Sequence, residues 1–514
     1  MAQKKQQKKE TEIVCQKNQE LTLEIIDMGT DGEGIGRVEG YTLFVKDALV
    51  GDVVRAKVIK TKKRFGYARL MEILTPSPWR VEPVCSVARQ CGGCQIQHCD
   101  YEKQLEWKSK KVAECISRIG GIPVLSSKED LNTQGKTENA IIMEPILGMD
   151  KPYHYRNKAQ FPVGYDRNGK LIAGFYAGRT HDIIPCTDCA IQHPCNKVIL
   201  ETVLKFMEEN GITAYQEKEH TGLVRHILTR VGKKTGEVMV CLVINGKSLP
   251  QQEKLVEKLL ACPINRTDRN GEKNLDKKFA ENNSEELQKL QIKSVSLNFN
   301  TEKTNVILGK KVKTIYGEPY IEDYIGNIRY QISPLSFYQV NPEQTVKLYQ
   351  TALEYADLQG GEVVWDLYCG IGTISLFLAQ KATKVCGVEI VPQAIEDAKR
   401  NAELNGLTNT EFFVGAAEEV VPEQYAKSNG ALRADVVTLD PPRKGCDEKL
   451  LETVVNMAPK KIVYVSCDPA TLARDLKYLC EKGYQLERVR ACDMFGHSGH
   501  VETCVLLTHK DIAG

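Results

Sequence analysis

Three short stretches of this chain combine residue types that chemistry needs. Cys467 follows the apolar run Lys461–Ser466 and is itself followed by Asp468 and Pro469, which open a helix. A cysteine is more often a small packing residue than a nucleophile. This placement favours the reactive reading, because α/β folds present functional groups at the carboxyl ends of strands and a helix N-terminus lowers a thiol pKa. Further on, His500-Val501-Glu502 opens the last strand. Its carboxylate suits a general base, and the same pattern also fits a structural acid. Upstream, Asp366-Leu367-Tyr368-Cys369-Gly370-Ile371-Gly372 links a strand to a helix. There, glycines let backbone amides approach a ligand and the helix dipole faces it.

Glu389 ends the next strand, where a carboxylate grips ribose hydroxyls. Thr373, Ile374 and Ser375 follow Gly372, so the third glycine of a dinucleotide fingerprint is missing. That favours S-adenosylmethionine over a nicotinamide cofactor. A methyl-donor pocket beside a covalent thiol implies methylation of an atom that must first be activated. A fourth stretch, Asp440-Pro441-Pro442-Arg443, ends another apolar strand. Methyltransferases of exocyclic amines usually carry an aromatic residue after Asp-Pro-Pro to stack on the base. Arg443 stands there instead, which disfavours amino methylation.

Cys85, Cys91 and Cys94 follow a C-x5-C-x2-C spacing on a glycine-rich loop. Three soft ligands need a fourth, because tetrahedral thiolate sites take four. Cys186, Cys189 and Cys195 all lie where a fourth could come from. The spacing is not the C-x3-C-x2-C of radical S-adenosylmethionine chemistry. A zinc site is the alternative.

These residues need strands and helices to hold them. At 514 residues the chain has room for several domains. Short alternating strands separated by glycine-rich turns, chiefly the stretch 29–40, predict an OB-type barrel over residues 14–74. Lys60, Lys62, Lys63, Arg64 and Arg69 interleave with Phe65 and Tyr67 on one hairpin. Cations for phosphates beside rings for bases suit single-stranded RNA, and a solvated basic hairpin is the bland alternative. Residues 75–332 read as a mostly-β central domain carrying the cysteine cluster, with an amphipathic helix over 101–120, a second helix near 197–210, and polar inserts at 126–139 and 265–286. The helix at 101–120 is placed so that it can pack on the last domain. Tyr155-Arg156-Asn157-Lys158 is an RNA-facing candidate or a salt-bridged sheet face. From 333 to 514 strands and helices alternate as in a doubly wound α/β domain. The fold class expected is therefore multidomain α/β.

The formal net charge is only +2, so any nucleic-acid partner must be argued from local clusters. No run of apolar residues reaches membrane-spanning length and no signal peptide is evident, which implies a cytoplasmic protein with reduced thiols.

Together Ser336-Phe337-Tyr338-Gln339-Val340-Asn341, the Asp366–Gly372 turn, Asp440-Pro441-Pro442-Arg443, Ser466-Cys467-Asp468-Pro469 and His500-Val501-Glu502 closely resemble the RNA uracil-5-methyltransferase family, in its branch acting on 23S ribosomal RNA. The resemblance covers nearly the whole chain and implies an N-terminal TRAM barrel, an iron–sulfur central domain and a Rossmann-like methyltransferase domain. It implies that Gln339, Tyr368, Glu389 and Asp440 bind the cofactor and target, that Cys467 is the nucleophile and that Glu502 is the base. It further implies that Cys189 joins Cys85, Cys91 and Cys94 on a structural or RNA-positioning 4Fe-4S cluster. The product would be 5-methyluridine in a single-stranded or unfolded loop of 23S RNA, formed by a monomer. The barrel argues for ribosomal over transfer RNA, since transfer-RNA relatives usually lack it. Two positions depart from the family: Gly496 replaces a usual proline, implying a looser loop before Glu502, and Thr373 replaces a common asparagine. The alternatives are a transfer-RNA uracil-5-methyltransferase, an RNA cytosine-5 methyltransferase using Cys446 or Cys467, and a non-catalytic RNA-binding protein that keeps the scaffold.

Overall fold

The computed structural model describes residues 15–128, 140–178, 180–265 and 289–511. Most of the two polar inserts read from the sequence therefore lies outside the described residues. The chain divides into two compact units.

The first unit comprises residues up to 83 together with 94–107 and 497–499. Its centre is a closed five-stranded barrel formed by Glu20–Met28, Gly34–Val38, Tyr41–Lys46, Val53–Thr61 and Phe65–Thr75. Alternation drives it. Leu23, Ile25, Leu43, Val45, Val54, Ala56, Val58 and Ala68 point inward and are buried. The strand Gly34–Val38 occupies a stretch that the sequence pattern assigned to a turn. Its glycines are there for room, because a Cβ on Gly34 would come within 2.7 Å of Ile25 and 2.8 Å of the Ala48 carbonyl. Phe44, Phe65 and Tyr67 form a ring cluster with centroids 5.7–5.8 Å apart, and Lys62, Lys63, Arg64 and Arg69 are exposed beside it.

The second unit holds residues 84–93, 108–496 and 500–514. One part is a seven-stranded sheet in the order Ile183–Pro185, Leu171–Tyr176, Lys158–Tyr165, Val224–Val231, Glu237–Ile244, Gln291–Phe299, Lys311–Gly317. Two helices, Cys195–Glu209 and Gln252–Leu260, share its apolar core. The second of these was not read from the sequence, where the adjoining charged insert masked its short amphipathic pattern.

The other part is an eight-stranded sheet in the order Thr410–Val414, Lys384–Glu389, Val363–Leu367, Val436–Leu439, Lys461–Ser466, Glu502–His509, Tyr484–Cys492, Glu144–Leu147. The first five are mutually parallel, and Glu502–His509 runs antiparallel to both of its neighbours. The edge strand Glu144–Leu147 comes from well before residue 333. So does the second half of the helix Tyr101–Gly120, whose Val112, Ala113 and Ile116 pack with Leu472, Ala473 and Leu476. Sequence proximity therefore does not delimit this sheet's core. Among the described residues no helix is long and apolar enough to cross a membrane.

One ion pair ties that helix to the segment before Glu502. Lys108 Nζ lies 2.5 Å from Asp493 Oδ1 with both side chains fully buried, and it also donates to the Phe495 carbonyl at 3.1 Å. Removing either partner leaves a buried charge without compensation. Lys108→Met or Asp493→Asn should each lower stability by about 3–5 kcal/mol. The double variant should recover part of that loss. Urea unfolding midpoints of the three variants check this.

Candidate active site

Topology brings the candidate nucleophile and base together. The strand Lys461–Ser466 runs toward Cys467, and Glu502–His509 leaves antiparallel from the same end, with Ser466 opposite Thr503. A residue that ends one strand thus neighbours a residue that begins the other. Cys467 and Glu502 interact electrostatically, and Asp440 and Arg443 act on both. The turn beneath the thiol is rigid. Asp468 accepts hydrogen bonds from the amides of Ala470 at 2.9 Å and Thr471 at 3.1 Å, and its own amide donates to Ser466 Oγ at 3.2 Å.

The expected lowering of the Cys467 pKa is not found. Burial pushes the thiol up to about 12, with Glu502 and Asp440 adding to the rise and Arg443 opposing it. The helix dipole does not reverse this, because the Asp468 carboxylate already occupies its first amides. Burial and then Asp440 raise Glu502 to about 8, again against Arg443. Burial and then Asp366 raise Asp440 to about 7. Asp366, raised to about 6 by burial, is held by hydroxyl donors from Ser375 and Thr438. Buried carboxyl groups crowded on neighbouring central strands mark a functional site.

Arg443 is the residue the sequence undervalued. There it served only to exclude amine methylation. In the structure it is the cation acting on both Cys467 and Glu502, and its Nη2 lies 3.4 Å from His500 Nε2. The available signal was a guanidinium directly after Asp-Pro-Pro at a strand end.

The glycine-rich turn lies where the strand order reverses, between Val363–Leu367 and Val436–Leu439, the crevice in which open α/β sheets bind ligands. Gly370 and Gly372 take φ values of +55° and +83°, which a side chain would strain. Tyr368 also has a positive φ, +73°. Glu389 receives the Gly370 amide at 3.3 Å and the Val391 amide at 3.0 Å, which aims its carboxylate along the turn. The Gly415 amide donates to the Glu389 carbonyl at 3.0 Å, so the segment 415–417, not singled out in the sequence, borders the same crevice. Thr373 receives hydroxyl bonds from Tyr349 on its Oγ1 at 2.9 Å and from Tyr330 on its carbonyl at 3.0 Å, a bracing role for the unusual residue. Gln339 is buried on a separate loop, its carbonyl accepting from Asn157 Nδ2 at 3.0 Å.

The loop before Glu502 is not loosened by Gly496. Tyr155 Oη donates to the Gly496 carbonyl at 3.1 Å, Asn341 Nδ2 to Met494 O at 3.3 Å and Gln344 Nε2 to Asp493 O at 3.2 Å. A Cβ at Gly496 would sit 3.0 Å from Met149, so the glycine admits a tight neighbour. Within 155–158, Tyr155 and Asn157 are therefore internal braces. Burial, then Arg230 and Arg156, bring Lys158 down to about 7.

Among the described residues no group of three or more Cys, His, Asp or Glu side chains is arranged to hold a metal ion. Cys186 is nevertheless hydrogen-bonded to both Cys85 and Cys189, which lowers the pKa of those two and raises its own. Cys195 is packed in the apolar core of the seven-stranded sheet and interacts with Cys262, which removes it as a ligand candidate. Cys446 is equally unsuited to attack. It is fully buried where Cys467 is half-buried, and its sulfur is engaged 3.5 Å from Tyr464 Oη.

Two family models match the chain, a TRAM domain over residues 16–71 and a tRNA (uracil-5-)-methyltransferase over 271–510. A protein of Halalkalibacterium halodurans described as an uncharacterized RNA methyltransferase is 47% identical, over 96% of this chain and 98% of its own. One from Clostridium tetani is 46% identical, over 97% and 98%. The chain belongs to the RNA uracil-5-methyltransferase family. Its fold also matches the solved Pyrococcus abyssi tRNA (uracil-54, C5)-methyltransferase in complex with S-adenosyl-L-homocysteine, with TM-score 0.70 and 27% identity over 95% of this chain and 99% of that one. At that coverage the match takes in the barrel, so a whole chain of this architecture, barrel included, serves a transfer-RNA enzyme. The expectation that a TRAM module separates ribosomal from transfer-RNA substrates loses its force.

The Glu502 pKa gives a signed test. Its folded value, about 8, lies above the usual 4.5. The folded protein therefore binds the extra proton, and its stability falls as pH rises from about 4.5 through about 8. A Glu502→Gln variant keeps a neutral side chain throughout. Its melting temperature should gain on wild type across that window and level off above it, as read by thermal unfolding between pH 5 and 9.

Proposed function

We propose that this methyltransferase uses S-adenosylmethionine to methylate C5 of a uridine in 23S ribosomal RNA, through a covalent adduct with Cys467. The observation that carries the C5 reading is the meeting of Cys467 and Glu502 at the same end of adjacent antiparallel strands, with Arg443 and Asp440 acting on both, while the 23S assignment rests on the motif resemblance alone. C5 of uracil is too weakly nucleophilic to take a methyl group from a sulfonium unaided. The Cys467 sulfur forms a bond to C6, and the C5–C6 π electrons become enolate density. Arg443 favours the thiolate needed for that attack. C5 then takes the methyl group, leaving S-adenosylhomocysteine. Glu502 removes the C5 proton, the S–C6 bond breaks, and the thiolate is released. Gln339, Tyr368, Glu389 and Asp440 are the residues assigned to the cofactor and target. The base must be splayed out to reach Cys467, which suits a single-stranded or unfolded loop. The barrel's Phe44, Phe65 and Tyr67 with their flanking cations offer stacking and phosphate contacts for that RNA.

A transfer-RNA substrate is the second reading, favoured by the Pyrococcus abyssi relative. The discriminating experiment supplies methyl-labelled S-adenosylmethionine with unmodified 23S RNA and transfer RNA separately. Label in 5-methyluridine from 23S RNA alone supports the first reading, and label from transfer RNA alone replaces it. Cys467→Ala should abolish turnover, and substantial remaining activity would remove the covalent route. Glu502→Gln should accumulate a denaturation-resistant protein–RNA adduct on gels.

The cysteines extend the reading. A 4Fe-4S cluster held by Cys85, Cys91, Cys94 and Cys189 fits the donor chemistry, and the closeness of Cys85 and Cys189 around Cys186 supports it. Such a cluster would fix the central domain and take no part in methyl transfer. Anaerobically purified Cys189→Ser should lose most bound iron and the cluster's visible absorption, whereas Cys186→Ser should keep both. The reverse result makes Cys186 the ligand.

A further inference from the structure

Lys158 opens the strand Lys158–Tyr165 directly opposite Arg230 on the strand Val224–Val231. Residues opposite one another in an antiparallel pair share a face, so two cations stand side by side. Their neighbours Ala159, Phe161, Ile227 and Val231 turn the other way, into the helix-covered core. Cross-strand charges are stabilising when opposite and destabilising when alike. Here neither cation has a carboxylate partner among the described residues, and Lys158, half-buried, has no hydrogen bond or ion pair among them. Arg230 is 1% exposed and uses only Nη2, which donates to the Ser336 carbonyl at 2.8 Å. Its Nε and Nη1 are buried without a partner. A buried guanidinium lacking a counter-charge and set against a second cation is unfavourable for the protein alone.

The pair lies beside the candidate active site. Asn157, next to Lys158, donates its amide to the Val340 carbonyl at 2.8 Å and its Nδ2 to the Gln339 carbonyl at 3.0 Å. Arg156 lies 6.0 Å from the Phe495 ring, which is 6.1 Å from the ring of His500 in the segment that leads into Glu502. Met239, opposite Arg230 on the next strand, belongs to the same apolar cluster as Tyr338 and Ile371. This face of the seven-stranded sheet therefore turns toward the catalytic half. A uridine that reaches Cys467 brings its flanking phosphates into the same cleft, and a phosphate is the anion that the pair lacks.

We propose that Lys158, with Arg230 behind it, binds a backbone phosphate of the substrate RNA next to the base being methylated. Lys158 makes the contact, and Arg230 adds its charge from the buried layer while holding Ser336. The proposal rests on the reading of the site as that of an RNA uridine methyltransferase. The protonation of Lys158 agrees with it. Burial, Arg230 on the facing strand and Arg156 on its own segment bring the lysine down to about 7, with only Cys241 of the strand Glu237–Ile244 acting the other way. A bound phosphate reverses that balance, so Lys158 takes up a proton when RNA binds above pH 7.

Binding of unmodified 23S RNA and of transfer RNA to the full-length protein across a salt series tests this, with S-adenosylhomocysteine affinity as the control. For the RNA that accepts the methyl label, Lys158→Met should bind about 10-fold more weakly, with a slope of log affinity against log salt shallower by about 0.7, the share of one phosphate on a single strand. Lys158→Arg should restore the slope and most of the affinity. Both variants should bind S-adenosylhomocysteine like wild type, and Lys158→Met without RNA should melt no lower than wild type, because it relieves the cation pair. At pH 8, calorimetry in two buffers of different ionisation enthalpy should show wild type taking up more protons on binding RNA than Lys158→Arg does. An unchanged salt slope in Lys158→Met, RNA and S-adenosylhomocysteine affinities that fall together, or equal proton uptake in wild type and Lys158→Arg overturns the proposal. Should Lys158→Met fail to fold, Lys158→Gln reads the same slope. Wild-type protein that methylates neither RNA overturns the functional reading instead, an outcome seen before any variant is made.

Discussion

Carboxyl groups crowded together on the central strands of the eight-stranded sheet are the constraint on which the catalytic half depends. Asp366, Asp440 and Glu502 are each pushed up by burial, and each of the latter two is raised further by a neighbouring carboxyl group. One arginine, Arg443, opposes this crowding at Cys467 and Glu502. An apolar core around such groups would be cheap to build and chemically inert. The fold instead keeps titratable groups near neutrality, where a proton moves at little cost in either direction.

Holding those groups in register requires rigid support, and the chain supplies it from distant segments. Lys108 reaches Asp493 from the helix Tyr101–Gly120, Tyr155 reaches Gly496 from the central part, and Asn341, the N-cap of the helix Pro342–Ala356, and Gln344 in its first turn brace the same loop. The second unit is therefore not a methyltransferase module with appendages. Glu144–Leu147 completes its sheet, and Val112, Ala113 and Ile116 complete its core.

The candidate site residues also share elements with the packing layer behind them. The strand Lys461–Ser466 carries Tyr464 on its way to Cys467, and the loop after Val436–Leu439 carries Asp440, Arg443 and Cys446 within a few residues. Alternation along a strand sends one side chain to the site and its neighbour to the packing layer behind it.

Local chemistry was legible in the sequence. The glycine-rich turn, Glu389 at its strand end, the Ser-Cys-Asp-Pro turn and the alternating barrel strands all follow from rules acting over a few residues. Where local rules compete, the sequence misled: the stretch 29–40 looked like turn alone, and Cys467 at a helix N-terminus looked acidic, although Asp468 had already taken the amides. The pairing of Cys467 with Glu502, the burial that sets both pKa values, the role of Arg443 and the meeting of Cys85 with Cys186 and Cys189 were decided only by tertiary structure. Each depends on strand order and desolvation, which arise from contacts between residues far apart in the chain. No local pattern encodes the dielectric that those contacts create.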